Sequence, residues 1–328
     1  MTSPLRLVPY TAPSATVRSR QDSPPRLAVL IPCCNEEATI GQVVRDFRAA
    51  VPEADLYVYD NNSRDRTREV AEAAGALVRR EPRQGKGHVV RRMFADVEAD
   101  IYLLVDGDDT YDAASAPRMI ERLRTEQLDM VVACRESDRE DAYRRGHRFG
   151  NRLLTGFVAT LFGRQFTDIL SGYRVFSRRF VKSFPALAAG FETETELTVH
   201  ALELRMPVSE IATPYRSRPE GSRSKLSTYR DGWRILKTIL RLFRSERPLA
   251  FFGLVGALLA GVSVALALPL LPTYFATGEV PRFPTAILST GLMILASLSL
   301  VSGLILDTVT RGRQELRRLN YLACPPPW

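Results

Sequence analysis

Cysteine is scarce in this chain: four in 328 residues, none in a CxxC or a Cys/His cluster. Cys33 and Cys34 are adjacent and poorly placed to bridge each other, while Cys134 and Cys324 stand alone. A disulfide scaffold and a zinc site are therefore not indicated, and the usage suits a reducing compartment. The N-terminus lacks the apolar core of a signal peptide. Pro4, Pro9, Pro13, Pro24 and Pro25 among scattered Arg and Ser read as a disordered leader over residues 1–25. No G-x-G-x-x-G follows the first apolar strand, which counts against a dinucleotide-binding oxidoreductase. Acidic residues are outnumbered, 37 Asp+Glu against 45 Lys+Arg, giving a formal charge of +8. Much of the excess is local. Arg230, Arg234, Lys237, Arg241, Arg244 and Arg247 precede one long apolar stretch, and Arg311, Arg313, Arg317 and Arg318 follow another. Bases flanking apolar segments point to lipid head groups, with no nucleic acid among the partners.

Those apolar stretches are the longest uncharged runs in the chain. Leu249 to Leu271 is 23 residues without a charge, and Phe283 to Leu306 is another 24. At about 1.5 Å rise per residue each spans a hydrocarbon core of about 30 Å, whereas buried core helices seldom run so long uncharged. Basic flanks on both outer sides put the N-terminal domain and the C-terminal tail together on the cytoplasmic face of a multi-pass membrane protein. Between domain and membrane, Arg230, Arg234, Lys237, Arg241 and Arg244 form one helical stripe. Trp233, Leu236, Ile239, Leu240 and Phe243 form the opposite one. That is the pattern of an interfacial amphipathic helix, and also of a surface helix packed on its own domain.

The first 230 residues alternate apolar runs with helical periods. Strands are expected at Leu27–Ile31, Leu56–Tyr59, Ala76–Val78, Ile101–Val105 and Met130–Ala133, and helices at about 40–50, 64–74, 86–94 and 116–124. The alternation predicts an α/β fold, a mostly parallel sheet between helices. In such sheets ligands sit beyond the carboxyl ends of the strands, at a topological switch point. Polar clusters follow Ile31, Tyr59 and Val105, all at expected strand ends. In Asp106-Gly107-Asp108 two carboxylates one residue apart can reach a single hard cation, Mg2+ or Mn2+, shared with substrate phosphates. The same triplet alone would also describe a solvated acidic turn.

Four motifs in order resemble the family 2 glycosyltransferases, within them the polyprenyl- and dolichol-phosphate glycosyltransferase branch. They are Ile31-Pro32-Cys33-Cys34-Asn35-Glu36-Glu37, Tyr59-Asp60-Asn61-Asn62-Ser63-Arg64-Asp65, Gly85-Lys86-Gly87 and Val105-Asp106-Gly107-Asp108-Asp109. The resemblance implies a nucleotide-diphospho-sugar transferase (GT-A) domain, here over 26–227. An amphipathic helix over 228–248, a transmembrane hairpin over 249–306 and a basic tail over 307–328 would follow. It implies that Pro32, Asn35 and Glu36 line the nucleotide pocket, that Asp60 hydrogen-bonds the base, and that Asp106 and Asp108 hold the metal on the diphosphate. Cys34 stands where many relatives carry Tyr, so this position does not disclose the base. Thr167 to Arg174 resembles the acceptor-side segment, Glu192 to Leu197 the acidic helix start, and Arg218 to Lys225 a loop whose first Arg contacts the donor diphosphate in relatives.

Charge developing on the leaving diphosphate needs a metal plus a second cation, for which Lys86 and Arg218 are candidates. A lipid phosphate acceptor is already anionic and needs cations more than a base, so Arg135, Arg148 and Arg174 are candidate acceptor-phosphate ligands; Arg174 would equally suit a salt-bridged core position, and Lys86 plain exposure. Asp168 and Glu194 would then position groups at the catalytic centre. The implied reaction is single displacement with inversion, from a nucleotide-diphospho-sugar donor to a polyprenyl phosphate acceptor. A hydroxyl acceptor, or a non-catalytic scaffold, is the alternative. A processive synthase is disfavoured, since its Gln-x-x-Arg-Trp motif is missing. Gly253, Gly256, Gly261, Gly291 and Gly303 would permit close helix contact, including between copies in a homo-oligomer.

Overall fold

The computed structural model describes residues 24–136, 155–160, 166–187, 190, 192–216, 228–280 and 282–325. Seven strands form one sheet: β1 (Leu27–Cys33), β2 (Asp55–Asp60), β3 (Leu77–Arg80), β4 (Ile101–Leu104), β5 (Met130–Glu136), β6 (Arg174–Ser177) and β7 (Val208–Pro214). Their order is β3-β2-β1-β4-β6-β5-β7. All pairings are parallel except those of β6, which runs antiparallel between β4 and β5. The chain winds outward from β1 to β3, then returns to the far side of β1 with β4. The cleft past the carboxyl ends of β1 and β4 is therefore the topological switch point.

Successive residues of β1 face opposite sides, and both sides are covered, which explains an unbroken apolar run. Val29 and Ile31 join one core under α1 (Ile40–Ala50), α2 (Thr67–Ala73) and α4 (Ala116–Thr125). Ala28 and Leu30 join the other, under α3 (Lys86–Asp96), α5 (Arg178–Ser183) and α6 (Thr193–Glu203). β1 does not stop at Pro32 as its apolar run suggests but continues to Cys33, whose carbonyl accepts from the Asn61 amide at 2.8 Å. The ladder to β4 ends at Leu30, so the missing proline N–H leaves no partner stranded there.

The C-terminal elements are α7 (Thr228–Glu246), α8 (Pro248–Ala267), α9 (Leu271–Thr277) and α10 (Phe283–Ala323). Two helical stretches, Pro248–Thr277 and Phe283–Ala323, are long and apolar enough to cross a membrane. They pack closely: the Cα-side space at Gly256 faces the Ala296 carbonyl and that at Gly303 faces Phe252 and Leu249. Ser263 and Ser289 exchange hydrogen bonds, each hydroxyl donating to the other's carbonyl at 2.8 and 2.9 Å. Gly253, Gly261 and Gly291 meet nothing within 4 Å.

Two expectations for this region change. The segment after Leu306 is no separate tail: α10 is one helix of 41 residues, about 60 Å long, reaching the sheet domain. Its basic residues are also not all available to lipid. Arg317 forms an ion pair with Glu203 of α6, and Arg313 donates to the Ser245 carbonyl at 3.1 Å. Tyr321 donates to Asp129 at 2.8 Å and lies under the Arg179 guanidinium at 4.9 Å. On α7, Ile239 and Leu242 turn onto the domain core and Phe243 stacks edge-on with Phe157 and Phe251, so part of its apolar stripe packs on protein.

Candidate active site

Each of the three strand ends at the switch point carries one left-handed residue: Asn35 (φ 54°), Asn62 (φ 61°) and Asp109 (φ 56°). Asn and Asp tolerate that conformation better than other non-glycine residues, which accounts for their place in the motifs. Side chains then staple the turns together. The Asn35 amide donates to Ser63 Oγ at 2.8 Å, and the Arg64 amide donates to Asn35 Oδ1 at 2.8 Å. The Glu36 amide donates to Thr67 Oγ1 at 2.9 Å, and Thr39 Oγ1 donates to the Gly107 carbonyl at 2.7 Å. Asn35 thus joins two turns, and Pro32 lies on the last rungs of β1, opposite Tyr59.

Asp60 is buried, with Oδ1 accepting from the Ser63 amide at 3.1 Å. Asp108 is buried too and accepts from Thr110 Oγ1 at 2.6 Å. The Cys33 thiol reports how closely the acids gather. Burial pushes its pKa well up, and Glu36, Asp106, Asp60 and Asp108 push it further the same way. These four carboxylates lie at or just past the ends of β1, β2 and β4, and such a concentration of negative charge favours cations. Gly107 has no alternative here: a Cβ would lie 2.5 Å from Cys33 Sγ.

One cation comes from the chain. Lys86 Nζ lies 2.5 Å from Asp106 Oδ1 and 2.5 Å from Glu194 Oε1, with its side chain only 11% exposed. Burial acts to lower its pKa, but the two carboxylates outweigh that and hold it above the ordinary lysine value. Asn61 places this lysine. Its amide donates to the carbonyls of Glu81 and Arg83 at 2.9 and 2.7 Å, and its Oδ1 accepts from the Gly85 amide at 2.7 Å. Gly172 closes the other side. A Cβ there would lie 2.4 Å from Asp106 Oδ2 and 3.1 Å from Lys86 Nζ.

Asp106 and Asp108 suit a hard divalent cation by donor chemistry. Among the described residues no group of three or more His, Cys, Asp or Glu could enclose a metal. The pair therefore fits the mode in which one or two carboxylates share Mg2+ or Mn2+ with substrate phosphates.

At the end of β5, Arg135 clasps Asp168 in a bidentate pair, Nε to Oδ2 at 2.6 Å and Nη2 to Oδ1 at 2.8 Å, and lies over the Tyr215 ring at 5.5 Å. Asp168 is held in turn by Glu210, which accepts from the Thr167 and Asp168 amides. Arg174 overturns its expected role as a phosphate ligand. It is fully buried, and its guanidinium donates to the carbonyls of Ile169 and Ser171 and to Thr198 Oγ1 at 2.7, 2.9 and 2.9 Å. Burial pushes its pKa down to about 10, so it stays charged as a strut between β6 and α6, facing no acceptor. Arg148 and Arg218 lie outside the described residues. Residues that sequence reasoning passed over are Asn61, Gly172, Glu210 and Tyr111, whose hydroxyl accepts from the Gly172 amide at 2.9 Å. Asn61 stood inside a recognised turn cluster and Gly172 inside the 167–174 segment, though neither was singled out; Glu210 and Tyr111 carry no local signal.

Residues 28–184 match the family model described as Glycosyl transferase family 2. Glycosyltransferase AglJ of Haloferax volcanii is 34% identical over 304 residues, covering 92% of this chain and 99% of that protein. Dolichyl-phosphate hexose transferase of the same organism is 27% identical over 221 residues, 67% of this chain and 95% of that protein. Among solved structures, Mycobacterium tuberculosis glucosyl-3-phosphoglycerate synthase, in complex with Mn2+, uridine-diphosphate-glucose and phosphoglyceric acid, aligns with a TM-score of 0.55 at 25% identity. The alignment covers 67% of this chain and 79% of that one. With this sheet order, these motifs at its switch point and a relative matched along nearly its whole length, the chain belongs to family 2 of the glycosyltransferases.

Proposed function

We propose that this glycosyltransferase moves a sugar from a nucleotide-diphospho-sugar onto a polyprenyl phosphate at the cytoplasmic face of the membrane, inverting the sugar carbon. The observation that carries the acceptor is the pairing of its carboxylates. Asp168 is clasped by Arg135 and Glu194 by Lys86, so each potential base already faces a cation. A hydroxyl acceptor needs a base to take its proton, whereas a phosphate arrives ionised. The α10 helix supports the lipid character of the acceptor, since it joins the apolar hairpin to the catalytic domain through Arg317 and Tyr321. One relative's name, dolichyl-phosphate hexose transferase, agrees in substrate class.

In this reading Pro32, Asn35 and Glu36 shape the nucleotide pocket, and Asp60 lies where the base would meet the second strand end. Asp106 and Asp108 would hold Mg2+ or Mn2+, which when bound neutralises the diphosphate as it leaves. Lys86 stays protonated beside them and supplies fixed positive charge without reorganising. Arg135, already paired with Asp168, and Arg148 are the candidate cations for the acceptor phosphate, and Arg218 for the donor. The working division is a catalytic domain over 26–227, a juxtamembrane helix over 228–248, spans over 249–306 and a C-terminal segment over 307–328. Gly253, Gly261 and Gly291 offer a surface for a second copy.

The test is transfer from a panel of labelled nucleotide sugars into organic-extractable polyprenyl phosphate, with and without Mg2+ or Mn2+. A labelled lipid should form only with metal, and Asp108→Ala should lower its rate on the order of a thousandfold. Donor turnover without a lipid product would transfer the reading to a hydroxyl acceptor, and no turnover with any donor would favour a scaffold.

A further inference from the structure

A second cavity, of about 340 Å³, lies away from the donor cleft where α6, α7 and α10 meet, lined among others by His200, Thr238, Arg241, Arg244, Glu246 and Arg313. Its position is that of a head-group layer. Glu246 stands two residues before α8 begins, and Arg313 seven residues, about 10 Å, past the last uncharged residue of the second span. Among the described residues, His200 Nδ1 and Arg313 Nε in its wall are buried with no hydrogen bond. Buried polar atoms are seldom left so in a finished structure. Cations come from two helices, Arg241 and Arg244 on α7 and Arg313 and Arg317 on α10, the last paired with Glu203, and they face the carboxylates of Glu192, Glu196 and Glu246. Pro185, Leu187, Val199 and Leu242 add apolar wall. A basic pocket between helices at the cytoplasmic edge of a bilayer suits a lipid phosphate.

The geometry also separates this cavity from the reaction. At about 100° per residue, Glu192, Thr195, Glu196 and Val199 share one face of α6. Glu194, which meets Lys86, and Thr198, which meets Arg174, share the opposite face. A lipid head group in the cavity is screened from the sugar carbon by the helix itself. We propose that this cavity binds the head-group phosphate of an anionic bilayer phospholipid, which fastens α6 of the catalytic domain to α7 and α10. The proposal rests on the membrane placement above but not on the identity of donor or acceptor.

The test uses the full chain, purified in neutral detergent and stripped of lipid, with thermal unfolding followed as lipids are added in mixed micelles. Phosphatidylglycerol should raise Tm by about 5 °C at saturation, well above the rise with phosphatidylcholine. The double variant Arg241→Gln/Arg244→Gln changes only exposed side chains. It should keep the lipid-free Tm and sugar-transfer rate while losing the phosphatidylglycerol response. Equal responses to the two lipids, or a full response in the double variant, would overturn the proposal. So would an equal response to inorganic phosphate, which marks a free-anion site, or displacement of phosphatidylglycerol by equimolar polyprenyl phosphate, which marks an acceptor site. Failure of the transferase reading would appear separately, as wild-type protein that answers to lipid but transfers no sugar.

Discussion

The proposed donor and acceptor sides of the cleft are built in different ways. On the donor side, strand-end turns are fastened to one another by hydrogen bonds from neighbouring motif residues, such as Asn35 to Ser63 and Thr39 to Gly107. On the acceptor side the fasteners are ion pairs between distant segments, Arg135 with Asp168, and Glu194 with Lys86 reaching over from the donor side. Turn chemistry fixes backbone shape locally, whereas a buried ion pair holds only if the whole fold delivers both partners. The donor side should therefore tolerate changes in packing that the acceptor side does not.

Arg174→Met breaks that comparison most strongly, because it removes the buried cation without touching a motif turn. The carbonyls of Ile169 and Ser171 would lose their donor, and stability should fall by ~3 kcal/mol in chemical denaturation. The acceptor KM of the folded fraction should stay unchanged; a raised KM would restore Arg174 as a phosphate ligand. Gly172→Ala comes next. Its Cβ would press on Asp106, so sugar transfer should fall about a hundredfold with the circular dichroism spectrum intact. Glu194→Gln should cost about tenfold, since it only unbalances Lys86, while a loss of about 10³ would mark Glu194 as a base.

The smallest effect lies at the membrane junction. Burial first, then the Glu203 carboxyl, raise Glu246 to about 7 from its ordinary 4.5, with Arg317 of α10 opposing and Ser245 donating to it. The folded state thus holds a proton that the unfolded chain releases. That contribution is whole below pH 4.5 and is lost as pH rises through 7. Glu246→Gln should therefore flatten the fall in Tm between pH 5 and 8, by about one to three degrees; an unchanged slope would assign it elsewhere.

What could be read in the sequence follows the same division. Residues 32–36, 60–63 and 106–109 are contiguous, so their strand ends, turns and acids were visible as patterns. The five strands expected are present within a few residues of their expected ends. Strands β6 and β7 were not visible. β6 opens on an arginine and has only four residues, too short and too charged at its start to read as a strand until the sheet order places it between β4 and β5. Arg313 and Arg317 misled in the same way, resembling a lipid-facing tail while one reaches Ser245 and the other Glu203. Gly172 shows the limit: its reason is a contact with Asp106 and Lys86, and no stretch of sequence contains all three.

The account turns on an acceptor that needs no base. The most direct measurement compares polyprenyl phosphate with the matching neutral polyprenol as acceptors for one labelled donor, at saturating metal and across pH 6 to 9. Labelled product should form with the phosphate alone, at a rate nearly independent of pH once the phosphate is ionised. Equal labelling of the polyprenol, with a rate that rises with pH as a base is unmasked, would contradict it.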